Sequence, residues 1–194
     1  FNLNNYLLVN MDHYSSLKRL IGNDLECHYF DSLESTSSFL NSLPSSNIAQ
    51  LCVTREQTQG KGQHGRQWLS QKDGSILFSI RQNFLQEANL NGFSLVVGLA
   101  IIKVLEEECL VEGFKIKWPN DILSRQNKIS GILIDLVTKK NKIDHAIIGI
   151  GLNVNQIEFE QLPKAASLKK ITGINYDLNE LLHYLVDNLK YYFS

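Results

Sequence analysis

Runs of apolar residues, and the polar breaks between them, divide the chain into short, distinct elements. Cys27 to Leu33 (CHYFDSL) and Ile48 to Thr54 (IAQLCVT) are short apolar stretches bounded by Ser, Asn and Pro, which predicts two strands. Between them, Glu34-Ser35-Thr36 forms a turn into a short helix, 37–43, stopped by Pro44-Ser-Ser-Asn47. Gly74 to Gln82 (GSILFSIRQ) predicts another strand, and Phe93 to Cys109 a long helix. Strands follow at Phe114–Trp118, Lys128–Thr138 and Lys142–Leu152, with a short one at Asp121–Leu123. The last two long strands meet at Lys139-Lys-Asn141, which suits a hairpin turn. Gln156 to Leu168 holds Pro163 and has weak periodicity, so a loop is expected. Leu178 to Tyr192 closes the chain as an amphipathic helix with Leu181, Leu182, Leu185, Val186 and Leu189 on one face. The first 22 residues suggest another helix, its apolar side made of Leu7, Leu8, Leu17, Leu20 and Ile21. A hairpin of long strands with helices around it predicts an α+β fold with a mixed, largely antiparallel sheet, not regular βαβ alternation.

Composition changes this picture little. With 194 residues, 43% of them hydrophobic and 20% charged, the chain can bury a core as one soluble domain. A net charge of −1 gives no global basic field for DNA or RNA. Cys27, Cys52 and Cys109 are far apart and form no CxxC pair, so a disulfide framework or zinc site is not expected. Reduced thiols and the lack of a signal peptide or membrane span point to a cytoplasmic protein.

Four segments carry candidate chemistry. The stretch from Gln57 to Asp73 has Gly60, Gly62 and Gly65 among Lys61, His64, Arg66 and Lys72, with Trp68 and Leu69 its apolar residues. It is expected to be a mobile basic loop. Glycines let a backbone approach an anion, and Lys61 and Arg66 add charge for phosphate. The spacing is neither a Walker A loop nor a dinucleotide fingerprint, and composition alone fits a solvated connector equally well. Lys117-Trp-Pro-Asn-Asp121 runs a strand into a proline bend, which either aims Asn120 and Asp121 at a ligand or forms a plain turn. In Lys128-Ile-Ser-Gly-Ile-Leu-Ile-Asp135, strict alternation puts Lys128, Ser130, Ile132 and Ile134 on one face, and Ile129, Gly131, Leu133 and Asp135 on the other. Gly131 marks close approach by a ligand, or a bulge. In Ile148-Gly-Ile-Gly-Leu-Asn-Val154, Gly149 and Gly151 bare one face, with Asn153 next along it. That makes room for a flat ligand or for a packed helix.

Taken in order, GKGQHGRQW at Gly60–Trp68, KWPND at Lys117–Asp121, KISGIL at Lys128–Leu133 and GIGLNV at Gly149–Val154 resemble the biotin protein ligase family. The resemblance implies the fold of class II aminoacyl-tRNA synthetases and lipoate ligases. It implies an ATP- and Mg²⁺-dependent reaction: biotin is activated to biotinyl-5′-AMP and then passed to a lysine of a biotin carboxyl carrier protein, a subunit of acetyl-CoA carboxylase. It implies roles for individual residues too. Ser35, Thr36 and Gln57 match residues at the ureido ring, with Gly60 and Lys61 adjoining them. Gly131, Leu133, Gly149 and Gly151 match the wall along the ring and valeryl chain. Lys128 matches the lysine at the reacting carboxyl and phosphate, helped by Lys61 and Arg66. Gln63, Arg66, Trp68, Asn120 and Asn153 fall on the nucleotide side, and Asp121 on the metal side.

The chain departs from the family pattern at four places, one of them His64 in a loop that is usually richer in arginine. Ser37 stands where an asparagine is usual, Lys61 replaces an arginine, and Gln63 replaces a charged residue that retains the adenylate, so leakage of biotinyl-AMP is expected. The resemblance covers one catalytic domain over 1–194. No N-terminal DNA-binding helix-turn-helix and no C-terminal β-barrel are expected in this chain, and neither nucleic acid nor membrane is an expected partner. A homodimer is compatible with the family. Two alternatives remain: a lipoate or octanoate ligase or transferase of the same fold, and a biotin-binding module without catalysis.

Overall fold

A computed structural model describes residues 17, 19–22, 24–83, 92–140, 142–159 and 162–193. In chain order the elements are β1 (Glu26–Phe30), α1 (Thr36–Ser42), β2 (Gln50–Thr54), β3 (Gly60–Lys61), a 3₁₀ turn (Gln63–Gly65), β4 (Gln67–Trp68) and β5 (Ser75–Asn83). They continue with α2 (Phe93–Glu108), β6 (Phe114–Lys117), β7 (Asp121–Ser124), β8 (Asn127–Lys139), β9 (Lys142–Asn153), α3 (Leu168–Thr172) and α4 (Leu178–Phe193). Seven strands form one sheet in the order β1-β2-β5-β9-β8-β7-β6, and β3 and β4 form a separate two-stranded ribbon. Within the sheet β1 and β2 run parallel and every other neighbouring pair is antiparallel. The expected α+β class with a largely antiparallel sheet is therefore what the chain adopts.

The two faces of the sheet are covered differently, and this places the site. One face buries Ile76, Phe78, Ile80, Ile122, Ile132, Ile148, Ile150 and Leu152 with α2 and α4, whose Val97, Ile101, Leu105, Leu181, Leu185 and Leu189 are all buried. Each such side chain contributes roughly 1.5–3 kcal/mol through burial. Gly98 lets α2 come close, because a Cβ there would lie 3.0 Å from Ile116 Cδ1. The other face carries α1, whose Leu40 packs with Leu33, Cys52 and Ile147. Among the described residues no other helix covers that face.

Most expected elements lie within two or three residues of their observed bounds. The helix expected from Ser37 begins at Thr36, because Ser35 caps it with a side-chain oxygen accepting from Ser38 N–H. The loop expected over 156–168 gives way at its end to α3, capped by Ser167 and stopped by Gly173 at φ 78°. Five residues are too few to show a periodic signal. The expected basic loop contains the β3–β4 ribbon and the 3₁₀ turn, and Arg55 clamps its base to Asp73 through paired bonds of 2.5 and 2.6 Å. Leu7, Leu8 and Asn141 lie outside the described residues. Leu17 and Ile21 are buried, whereas Leu20, expected beside them, is exposed.

Candidate functional site

The open face holds a cavity of about 690 Å³, within the usual range for small-ligand sites. Its floor is polar and uncharged. Thr36 backbone N–H donates to Gln57 Oε1 at 2.8 Å, and this fixes which way the Gln57 amide points. The Thr36 hydroxyl gives its one hydrogen to the same oxygen at 3.0 Å. In the 2.8 Å pair between Thr36 Oγ1 and Ser79 Oγ, Ser79 must then be the donor. What remains is a free donor group at Gln57 Nε2 and a free acceptor at Ser79 Oγ, and both residues line the cavity.

Midway along the cavity lies Lys128, and the backbone explains how it gets there. Ile122 pairs with Ser130 and Leu123 with Lys128, so β8 carries one residue more than β7 at this point. Ile129 is the extra residue of a β-bulge and is wholly buried in the core. The bulge reverses the facing of everything before it. Strict alternation places Lys128 with Ser130 and Ile132. In the structure Lys128 instead lines the cavity with Gly131 and Leu133, while Ile132 and Ile134 pack with the core. The expected facing of Lys128 is thus corrected, and the correction puts it among the residues it was expected to serve. The backbone of Lys128 is pinned on its outer side: its N–H donates to Lys164 O at 2.7 Å, and its carbonyl accepts from Ala166 N–H at 2.9 Å.

Lys128 Nζ lies 2.6 Å from Asp121 Oδ1. Asp121 is the one carboxylate among the described residues lining the cavity, and no cluster of three metal-ligating side chains occurs among the described residues. This donor set suits a hard cation that arrives with a phosphate substrate, not one caged by protein.

The ribbon closes over the two-glycine patch. Gly131 and Gly151 are direct cross-strand partners, and the Trp68 indole lies against both. A Cβ on Gly151 would come 2.5 Å from Trp68 Cε2, and one on Gly131 would come 2.7 Å from Trp68 Cζ3. The face bared by these glycines is filled by the protein's own ring. Gly149, by contrast, has only Ser79 Oγ and Leu133 near, at 3.4 Å or more. Lys128 Nζ sits 5.3 Å from the Trp68 ring centroid, within cation–π range. Trp68 Nε1 is buried without an acceptor.

Of the residues singled out from sequence, Thr36, Gln57, Lys61, Gln63, Arg66, Trp68, Asn120, Asp121, Lys128, Gly131, Leu133, Gly149, Gly151 and Asn153 all line this one cavity. Ser35 and Gly60 do not. Ser35 faces the helix N-terminus and Ser37 Oγ at 3.0 Å, and Gly60 backs onto the Trp68 carbonyl. Asn120 and Asn153 have their amides engaged within the protein. Asn120 Nδ2 donates to Ile132 O at 3.1 Å, and Asn153 Nδ2 donates to Ala166 O at 3.0 Å. Sequence reasoning missed Phe78, Ser79, Lys117, Arg125 and Lys164. Ser79 sits in an ordinary strand and Arg125 in a two-residue turn, and neither pattern signals a site. Lys117 stood inside a motif already singled out.

No cysteine lines the cavity. Burial pushes the Cys52 thiol well up, and burial with Glu108 nearby pushes that of Cys109 up to about 11. Neither supplies a thiolate at neutral pH.

A sequence model of the biotin/lipoate A/B protein ligase family matches residues 29–153. The chain is 28% identical over 162 residues to the bifunctional ligase/repressor BirA of Escherichia coli, which covers 81% of this chain and 50% of that protein. It is 30% identical over 142 residues to the biotin–[acetyl-CoA-carboxylase] ligase of Mycobacterium tuberculosis, covering 71% and 52%. The chain thus spans about half the length of the curated relatives it matches. Among solved structures, the biotin protein ligase from Aquifex aeolicus in complex with biotin and ATP superposes with a TM-score of 0.77 at 34% identity, covering 87% of this chain and 70% of that one.

Proposed function

The chain belongs to the biotin/lipoate A/B protein ligase family, and from that premise we propose that it activates biotin with ATP and transfers it to a lysine of a biotin carboxyl carrier protein. The floor of the cavity is the observation that carries the choice of acid. A free amide donor at Gln57 beside a hydroxyl acceptor at Ser79 complements a ureido ring, which offers one carbonyl and flanking N–H groups. The tails of lipoate and octanoate have nothing to satisfy these groups, which would then be buried unpaired. An octanoyl transferase working through cysteine lacks a thiolate at the cavity.

The reaction follows from the gradient along the cavity. The carboxylate of the acid lies toward Lys128. One of its oxygens attacks the α-phosphorus of ATP, the bond from that phosphorus to the bridging oxygen breaks, and pyrophosphate leaves. Lys128, Lys61 and Arg66 offset the charge gathered at phosphorus. Mg²⁺ bound to the phosphates would add positive charge there, with Asp121 its protein carboxylate. In the second step the carrier amine attacks the acyl carbon and AMP departs. The Trp68 ribbon over the site limits the access of water to the anhydride. A cytoplasmic location accords with three free cysteines. No helix among the described residues is long and apolar enough to cross a membrane. For a homodimer, the outer edge of β8 from Leu133 to Lys139 offers backbone that no described strand pairs.

Pyrophosphate exchange into ATP, run with biotin, lipoate, octanoate or no acid, tests this reading. Exchange with biotin alone is expected. Exchange with lipoate or octanoate instead overturns the substrate, and a biotin-binding module without catalysis gives none. A finer test is Gln57→Glu, which keeps the acceptor for Thr36 N–H but turns the free donor into an acceptor. Biotin affinity measured by calorimetry is expected to fall about 100-fold. An unchanged affinity would remove the ureido assignment.

Gln63 lines the cavity without charge. Free biotinyl-5′-AMP is therefore expected to escape during turnover, and Gln63→Arg to lower its level several-fold. Chromatography of the reaction mixture checks this, and finding no free adenylate from the wild-type chain ends the idea.

A further inference from the structure

The charge along the cavity is graded. The floor at Thr36, Ser37, Gln57 and Ser79 has none. At the middle, Lys128 and Asp121 neutralise each other at 2.6 Å. The mouth carries Lys117, Arg125 and Lys164, and no described carboxylate forms an ion pair with any of them. Each is set there by a different element. Lys117 ends β6 directly opposite Asp121. Arg125 occupies the two-residue turn between β7 and β8 in the left-handed region, at φ 54°. Lys164 is tied through its own carbonyl to the N–H of Lys128. Three cations from three separate segments, without an ion-pair partner among the described residues and converging on one rim, leave a site that favours a compact polyanion.

We propose that Arg125 and Lys164, with Lys117, hold the pyrophosphate end of the nucleotide, and that this rim is where inorganic pyrophosphate binds as product. The inference rests on the adenylating function above. With the acid anchored at the floor and its carboxylate near Lys128, in-line attack at the α-phosphorus sends the leaving group away from the floor, toward the mouth. The two outer phosphates then meet Lys117, Arg125 and Lys164, which offset the charge they carry away as the α–β bridge breaks. Arg125 sits at a turn tip and Lys164 on a loop. Both are exposed, so their effect is expected to weaken as salt rises.

The test uses the double variant Arg125→Asn, Lys164→Gln in the full chain. Asparagine tolerates the positive φ at position 125, so the turn is kept. Binding of inorganic pyrophosphate is measured directly by calorimetry at low salt, and biotin binding is measured in the same samples. The double variant is expected to bind pyrophosphate about tenfold more weakly, with biotin affinity unchanged, and Arg125→Lys alone to recover most of the loss. In pyrophosphate exchange the KM for pyrophosphate should rise more than kcat falls. Equal pyrophosphate affinity in the variant and the wild-type chain, or no pyrophosphate binding by the wild-type chain at millimolar concentration, overturns the proposal. Loss of biotin binding by the wild-type chain would instead count against the functional reading, so the two failures are told apart.

Discussion

Replacing Lys128 by methionine is expected to slow biotin-dependent pyrophosphate exchange by roughly 100- to 1,000-fold, the cost of removing one fixed positive group from a developing anion. Methionine keeps most of the aliphatic stem, so the loss should come from the charge. It also frees Asp121, whose carboxylate is 2.6 Å from Lys128 Nζ. An unpaired carboxylate there repels the carboxylate and phosphate that must meet beside it, so affinity for both substrates should fall as well. The double variant Lys128→Met, Asp121→Asn separates the two effects. Removing the orphan charge should recover affinity for biotin but not rate, while affinity for the Mg²⁺-bound nucleotide stays low because Asp121 is also its carboxylate, and steady-state kinetics with both substrates varied makes the comparison. If Lys128→Met retains wild-type exchange, Lys128 is not at the reacting atoms.

Adding one methyl group at position 151 is expected to do nearly as much damage. In Gly151→Ala the new Cβ would lie 2.5 Å from Trp68 Cε2 and 2.7 Å from Cζ2, closer than carbon atoms can approach. Gly151 lies two residues before the end of β9 but is paired on both sides, with Leu77 and Gly131, so the backbone cannot easily yield. The indole must leave, taking β4 and the ribbon with it. Displacement on the scale of an ångström costs about 100-fold where geometry controls the rate. Exchange should drop by that order while the thermal midpoint moves little, because Trp68 is outside the main core. Tryptophan emission offers a second readout, since Trp68 moves and Trp118 is already exposed. Gly149→Ala is the control, because its Cβ would meet nothing nearer than 3.4 Å. Equal losses at positions 149 and 151 would mean that the contact with Trp68 is not the cause.

Much of this site was legible in the sequence because its motifs are short and local. Thr36, Gln57, the Gly60–Trp68 segment, Lys128 and the two-glycine pairs fall along separate segments that the sheet brings to one face. What stayed hidden depends on partners far away in sequence. Gly131 is legible as a place for a bulge, but the extra residue is Ile129, since β7 pairs one residue short there. The glycine face was legible as bare, but its occupant Trp68 is more than 60 residues upstream of Gly131. Asn120 and Asn153 line the cavity, but that each gives an amide hydrogen to a backbone carbonyl, of Ile132 and of Ala166, is a choice set by tertiary approach. Arg125 gives no signal of a site, because a turn between strands commonly carries any exposed polar residue.

The extra residue at Ile129 makes the aim of Lys128 a matter of counting. Substitutions along β8 alter size or polarity one site at a time, and the lysine still points where it did. Removing one residue between Lys128 and Gly131 would abolish the bulge yet leave the ammonium on the cavity face, two places from Gly131, whereas one residue added to β7 opposite Ile129 would restore strict alternation, turn the ammonium toward Ile122 and Ile132, and bury a charge where nothing can pair with it. The strand pair should therefore tolerate exchange along β8 but not an insertion in β7, and an insertion scan would mark this phase-setting position more clearly than any alanine scan.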